Sequence, residues 1–241
     1  MEEGCEGDME KIELTAFSDP KSPVSEAYRT IRTNLQFAGV DKELKIIEVT
    51  STVPDEGKST VIASLGVVMA QAGKKTLLMD CDFRNPTQHK IFRVRNKGVS
   101  DCIATGGKFE DYKKASGQEN LDLFPAGPVA PNPSELLTSE KMKAMLAEFR
   151  EAYDYVLIDT PPILPVTDAA ALASHVDGVV LVIASGQDRP EDVQLSKKRL
   201  EQADARLLGC VLNKVKIGGG RYGYGNTYGY GYGYYYGQGG K

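Results

Sequence analysis

Short, uniformly apolar runs separated by helical stretches constrain this chain more than any other feature. "LKIIEVTS" (44–51), "KTLLMD" (75–80), "YVLID" (155–159), "GVVLVIAS" (178–185) and "LLGCVLNK" (207–214) have this character, and "LDLFPAG" (121–127) is a further strand candidate. None alternates polar with apolar residues, as a strand with one wet face would. Strands buried on both faces read this way, and their alternation with helices implies a mainly parallel sheet covered on both sides. The expected fold class is therefore α/β.

The remaining composition narrows the classes further. At 241 residues the chain holds one large domain or two small ones, and its net charge of -4 shows no basic excess. A dominant nucleic-acid role is excluded on that ground. Cys5, Cys81, Cys102 and Cys210 are scattered without C-x-x-C spacing, which implies free thiols in a reducing cytosol. The start, "MEEGCEGDME", is acidic and unlike a signal peptide, and the longest apolar run, "GVVLVIASG", is too short to span a bilayer. A membrane role would then depend on another protein. Residues 1–20 read as a loose, flexible arm, and "SPVSEAYRTIRTNLQFAG" (22–39) as a helix closed by Gly39. From Gly218 onward Gly and Tyr dominate, with no Leu, Ile or Val. Such a segment buries too little apolar surface to offset its chain entropy, so the domain is expected over 21–217 and a disordered tail over 218–241. The tail holds Tyr222, Tyr224, Tyr228, Tyr230, Tyr232, Tyr234, Tyr235 and Tyr236.

"VTSTVPDEGKST" follows the first strand and opens a helix, the setting of a P-loop. Its candidates for nucleotide contact are Thr52, Pro54, Asp55, Glu56, Gly57, Lys58, Ser59 and Thr60. Gly57 lets the backbone approach an anion, Lys58 offers charge to the outer phosphates, Ser59 offers a hydroxyl to Mg²⁺, and the helix start offers aligned N–H groups. Thr52 stands where the usual pattern has its first glycine. Asp55 stands where the loop often favours glycine, and Asp tolerates left-handed backbone. In "LLMDCDFRNP", Asp80 and Asp82 lie two apart at a strand's carboxyl end, so both side chains can point one way. In "YVLIDTPP", Asp159 ends a buried strand as a Walker B acid does. Taken singly, each has a plain alternative: a chance helix start, a solvated strand-end turn, a helix cap. Their common position at strand carboxyl ends joins them into one nucleotide site.

Together these segments resemble the bacterial tyrosine kinases (BY-kinases) of capsule and exopolysaccharide synthesis, over roughly residues 20–241. "LLMDCDFR" is similar to the family's Walker A′ motif, "SEAYRTIRTNL" to its E-x-x-R-x-x-R oligomerisation helix, and the tyrosine-rich end to its autophosphorylation cluster. "GVSDCIATG" and "PAGPVAPNPSELL" also resemble family segments. The resemblance implies a P-loop NTPase fold and an ATP- and Mg²⁺-dependent tyrosine autokinase acting on its own tail. Lys58, Asp80, Asp82 and Asp159 would carry the chemistry, with Ser59, Asp82 and Asp159 on the metal. Asp80 would be the base or orienting group, although the sequence does not divide roles between Asp80 and Asp82. Asn213, in "VLNK", matches the position that contacts adenine, and equally suits a strand-end turn. Glu26, Arg29 and Arg32 form a stripe on one helix face. By themselves they suggest a solvated i,i+3 ion pair; by resemblance they imply an interface in a closed ring, an octamer. The resemblance further implies a separate membrane-anchored activator, cytoplasmic location with recruitment to the inner face of the membrane, and a phosphotyrosine phosphatase as partner. The partition and septum-site ATPases share the fold and supply the competing reading, a nucleotide switch whose tail only binds partners. Their signature lysine after the first P-loop position is replaced here by Val53. A third reading is a scaffold whose P-loop, altered at Thr52, binds nucleotide without turnover.

Overall fold

The structure, a computed structural model, describes residues 14–130 and 132–215. Its centre is a seven-stranded sheet of β1 (Ile46–Ser51), β2 (Thr76–Asp80), β3 (Lys114–Ala115), β4 (Leu121–Phe124), β5 (Tyr155–Asp159), β6 (Gly178–Ala184) and β7 (Leu207–Asn213), in the order β3-β4-β2-β5-β1-β6-β7. Every pairing is parallel except β3 with β4. The short antiparallel edge strand β3 had no signal in the sequence.

The uniform hydrophobicity of the inner strands has a direct cause. Ile47, Val49, Leu78 and Leu157 enter one core, while Ile46, Leu77, Met79, Val156 and Ile158 enter another on the opposite face. Alternate residues point to opposite faces, and both faces are dry. On the first face lies α3 (Lys58–Gln71), buried along most of its length because α1 (Thr15–Ser18) and α2 (Pro23–Ala38) cover it in turn. A helix apolar all round is one buried all round. The second face carries α5 (Val99–Thr105) and α7 (Glu140–Ala152), with Phe109, Phe124 and Phe149 in edge and tilted contact between them. Four shorter or peripheral helices complete the fold: α4 (Gln88–Ile91), α6 (Pro133–Leu137), α8 (Asp168–Ala173) and α9 (Pro190–Gln202).

Two expectations change. The stretch assigned to a loose arm is ordered in its last part, because Leu14 and Ala16 are buried in the α2–α3 core and the Gln71 amide donates to the Ala16 carbonyl. The other is β7, which is not buried on both faces: it is the sheet edge, bulged where Leu208 adds a residue opposite Val179–Val180, and it exposes Cys210 and Leu212. The α2 helix begins as read, with Ser22 accepting from the Ser25 N–H, and Gly39 follows its last turn.

Candidate active site

The phosphate loop turns from β1 into α3 through two left-handed residues, Asp55 at φ 63° and Gly57 at φ 86°. Asp serves at the first. At the second a φ of 86° favours glycine, and a β-carbon there would also push the Asn213 side-chain amide aside. The loop is held from behind. The Glu56 carboxylate accepts from the Val53 N–H at 2.8 Å and the Ala184 N–H at 3.0 Å, and Asn213 Nδ2 donates to the Glu56 carbonyl at 2.8 Å. Lys214 Nζ donates to the Asp55 carbonyl and, at 3.2 Å, to Gln187 Oε1. The loop's shape thus depends on the ends of β6 and β7.

In front of the loop the charged side chains converge. Lys58 Nζ lies 2.9 Å from Asp82 Oδ2, 3.2 Å from Asp159 Oδ1 and 3.2 Å from Ser59 Oγ. Burial opposes its charge, but Asp159 and Asp82 outweigh that and hold the ammonium above the usual lysine range. Gln88 Nε2 donates to the other oxygen of Asp159 at 2.7 Å and to the Ser59 carbonyl at 3.0 Å, which fixes the carboxylate's plane. Asp80 and Asp82 divide their work. Asp82 meets the lysine and accepts from the Asn85 N–H at 2.9 Å. Asp80 accepts from the N–H groups of Asp82 (3.1 Å), Thr87 (3.0 Å) and Gln88 (3.0 Å), so it organises the loop that carries Asp82. Burial, reinforced by the charge of Asp159, pushes Asp80 up to about 7 against those N–H groups and Lys58.

A cavity of about 330 Å³ opens over this cluster. One wall is the phosphate loop, with Pro54, Asp55, Gly57, Lys58, Ser59 and Thr60; the other comes from the ends of β2 and β5, with Asp82, Arg84, Asn85, Thr87 and Pro161, Pro162, Pro165 and Val166. Thr52 and Glu56 lie behind the loop, Thr52 fully buried with its carbonyl accepting from the Leu164 N–H at 3.2 Å. Asn213 likewise braces the loop backbone. Glu26, Arg29 and Arg32 sit away from the cavity on α2. There Arg29 pairs with Glu26, whereas Arg32 turns inward and donates to the Val68 carbonyl at 3.1 Å. The tail tyrosines lie outside the described residues. Arg84, Gln88 and the prolines went unassigned in the sequence. Pro161 and Pro162 stood inside the quoted "YVLIDTPP" segment and Pro165 just beyond it, but Gln88 belongs to no spacing pattern that marks it.

The oxygen donors Ser59, Asp82 and Asp159 gather on one cation, Lys58, and are of the hard type that Mg²⁺ prefers. Among the described residues no group of three or more His, Cys, Asp or Glu has a metal-holding arrangement. Mg²⁺ carried with a nucleotide takes one or two carboxylates and completes its shell with phosphates and water. No helix among the described residues is long and apolar enough to cross a membrane.

Comparison with known proteins agrees with this geometry. The family model described as an AAA domain matches residues 26–203. The chain is 45% identical to tyrosine-protein kinase YwqD of Bacillus subtilis, over 89% of this chain and 91% of that protein. The kinase domain of Escherichia coli tyrosine kinase ETK superposes with a TM-score of 0.83 at 36% identity, covering 91% of this chain and 87% of that one. The septum site-determining protein MinD of Pyrococcus horikoshii, solved with Mg-ADP, is more distant: TM-score 0.61, 25% identity, 73% of this chain and 72% of that one. The fold is common ground with that ATPase, but the degree of likeness separates the two groups, and the chain belongs to the family of bacterial tyrosine-protein kinases.

Proposed function

We propose that this chain transfers the γ-phosphoryl group of ATP to tyrosine hydroxyls, foremost those of its own C-terminal cluster, in the control of capsule or exopolysaccharide synthesis. The observation that carries this reading is the gathering of Ser59, Asp82 and Asp159 on Lys58 in front of a braced phosphate loop. Phosphoryl transfer asks for positioning and charge neutralisation more than for covalent chemistry from the protein. Lys58 and the N–H groups at the start of α3 would grip the phosphates. Mg²⁺ supplies further neutralisation of the triphosphate when bound, held by Ser59, Asp82 and Asp159. A tyrosine hydroxyl, with a reference pKa of about 10, needs a proton acceptor at neutral pH. Asp80, to which the family resemblance gives this role, is fully buried with both oxygens accepting backbone N–H groups, so we assign it the orienting part, holding the loop that presents Asp82, and leave the hydroxyl proton to solvent in the cavity. Asn213 spends one amide proton on Glu56, and its remaining amide groups are the ones we assign to adenine.

The same reading extends to assembly and place. The α2 stripe would form the interface of a ring, an octamer by family pattern. A membrane-anchored activator would recruit the cytoplasmic chain to the inner face of the membrane, and a phosphotyrosine phosphatase would reset it. One experiment tests the core of this. The purified chain is incubated with labelled ATP and Mg²⁺, with and without a membrane activator, and the label is mapped. Label on Tyr222–Tyr236 supports the kinase; free phosphate alone supports a nucleotide switch; bound nucleotide with neither supports a scaffold.

A further inference from the structure

A guanidinium is clamped on the wall of the cavity that the phosphate loop does not build. Arg84 Nε donates to Asp168 Oδ2 at 2.8 Å and Nη2 donates to Asp168 Oδ1 at 3.1 Å. Asp168 opens α8, has no exposed side-chain surface, and also accepts from Ser134 Oγ of α6 at 2.5 Å. Three segments distant in sequence therefore converge to hold one arginine. Arg84 itself keeps 46% of its side chain exposed and lines the same cavity as Lys58, Ser59 and Asp82. Bidentate pairing fixes the plane of a guanidinium and leaves its remaining donors in a set direction. Here Nη1 has no partner among the described residues, so one edge of the fork is held while another is open to an anion. The ordering entropy of a long side chain is then spent in folding, not in binding.

Position decides which anion. The phosphate loop has its own cation, Lys58, and its own N–H groups for the nucleotide. Arg84 comes instead from the end of β2, two residues beyond Asp82, and shares its wall with Pro161, Pro162, Pro165 and Val166. An apolar proline surface beside a fixed guanidinium matches an aromatic ring that carries a phosphate, which is the product of the reaction.

We propose that Arg84 binds the transferred phosphoryl group on the acceptor side, with Asp168 as its positioning residue and the proline wall receiving the tyrosine ring. In the step served, a bond forms between the tyrosine oxygen and the γ-phosphorus as the bond to the β-phosphate's bridging oxygen breaks. ADP leaves with that electron pair, and the hydroxyl proton passes to solvent in the open cavity. Arg84 stays charged throughout and bonds the oxygens of the group as it changes owner. This rests on the kinase reading and adds the acceptor subsite to it.

The test compares the full chain with Arg84→Ala, Arg84→Lys and Asp168→Asn. Three quantities are read: affinity for Mg-ADP by titration of a fluorescent analogue, affinity for free O-phosphotyrosine at saturating Mg-ADP by calorimetry, and phosphorylation of a synthetic glutamate–tyrosine copolymer. Arg84→Ala is expected to leave ADP affinity within about twofold and to weaken phosphotyrosine on the order of tenfold or more, as loss of a charge-assisted contact does. Copolymer phosphorylation falls on the order of 10²-fold. Arg84→Lys restores little, because an ammonium cannot take the bidentate clamp. Added guanidinium ion restores part of the Arg84→Ala activity, which a merely structural role would not allow. Asp168→Asn shifts the same two quantities in the same direction by less. Loss of ADP affinity in parallel with the others, or phosphotyrosine binding unchanged in Arg84→Ala, overturns the assignment. A parent chain that binds ADP and labels no tyrosine with the membrane activator present overturns the kinase reading, and this one with it.

Discussion

The Asn213 side-chain amide stands where a β-carbon on Gly57 would have to go, so the last residue of β7 closes against a loop position whose left-handed backbone favours glycine. Gly57→Ala therefore meets two obstacles, the collision and a φ of 86°. Left-handed backbone alone costs an L-residue roughly 1–2 kcal/mol. We expect Gly57→Ala to lose nucleotide affinity and to lower the melting temperature of the domain by a few degrees, about 2–4 °C per kcal/mol of strain. Asn213→Ala alone is expected to lose affinity as well, because it removes the brace on the Glu56 carbonyl, and the pair loses less than the sum of the two because the collision is gone. Strictly additive losses in the pair would show that the collision is of no account and that φ at Gly57 carries the effect.

Lys58→Met removes the cation on which Asp82, Asp159 and Ser59 gather. Phosphotyrosine is expected to vanish from the chain while its circular dichroism stays that of the parent. Undiminished autophosphorylation in this variant sinks the mechanism.

Glu48 gives stability a pH dependence that has nothing to do with turnover. Its carboxyl is fully buried beneath β1, with Oε1 accepting from Thr160 Oγ1 at 2.8 Å and Oε2 without a partner. Burial pushes its pKa up to about 8, with the Thr160 bond acting the other way. The folded chain then keeps a proton that the unfolded chain releases above about 4.5. The stability this group contributes is complete below that value and is lost as pH rises through 8. Glu48→Gln abolishes the titration and leaves a constant penalty for its unpaired amide. Urea unfolding from pH 5 to 8 should show the variant gaining on its parent by at most about 1.4 kcal/mol per pH unit. Parallel curves would mean that Glu48 ionises alike in both states.

The two arginines of α2 are not equivalent. Arg29 spends its guanidinium on Glu26 and the Pro20 carbonyl near the surface, whereas Arg32 reaches into the fold to the Val68 carbonyl of α3. Arg29→Ala is expected to weaken a ring without changing the melting temperature. Arg32→Ala is expected to do both. Light scattering that finds the parent assembly intact in both variants rejects the interface.

Phosphorylation of the tail would add roughly -12 to -16 charges if all its tyrosines were modified. Tails so charged repel one another and the acidic sites they leave. Phosphorylated protein should therefore form smaller assemblies than unmodified protein by mass measurement, with the difference shrinking at high salt. Equal sizes would refute the switch.

What the sequence made legible follows from locality. β5 falls on the very residues quoted for it, 155–159, because a strand buried on both faces is apolar from end to end. Lys58, Ser59, Asp82 and Asp159 were readable because motif spacing and strand ends place them together whatever the remainder does. Exposure was not readable for β7: "LLGCVLN" looks as apolar as an inner strand, and only sheet order reveals it as the edge. Nor was the clamp on Arg84, whose partner is 84 residues away and whose contact depends on where α8 is set down. Ala16 and Leu14 escaped notice because one helical turn carries too few residues for a period to show.

The chain leaves the described residues at Val215, just past the two side chains, Asn213 and Lys214, that hold the phosphate loop from behind. A shift of the backbone at that strand end therefore bears first on Asp55 and Glu56, so the close of β7 and the phosphate loop move as one unit.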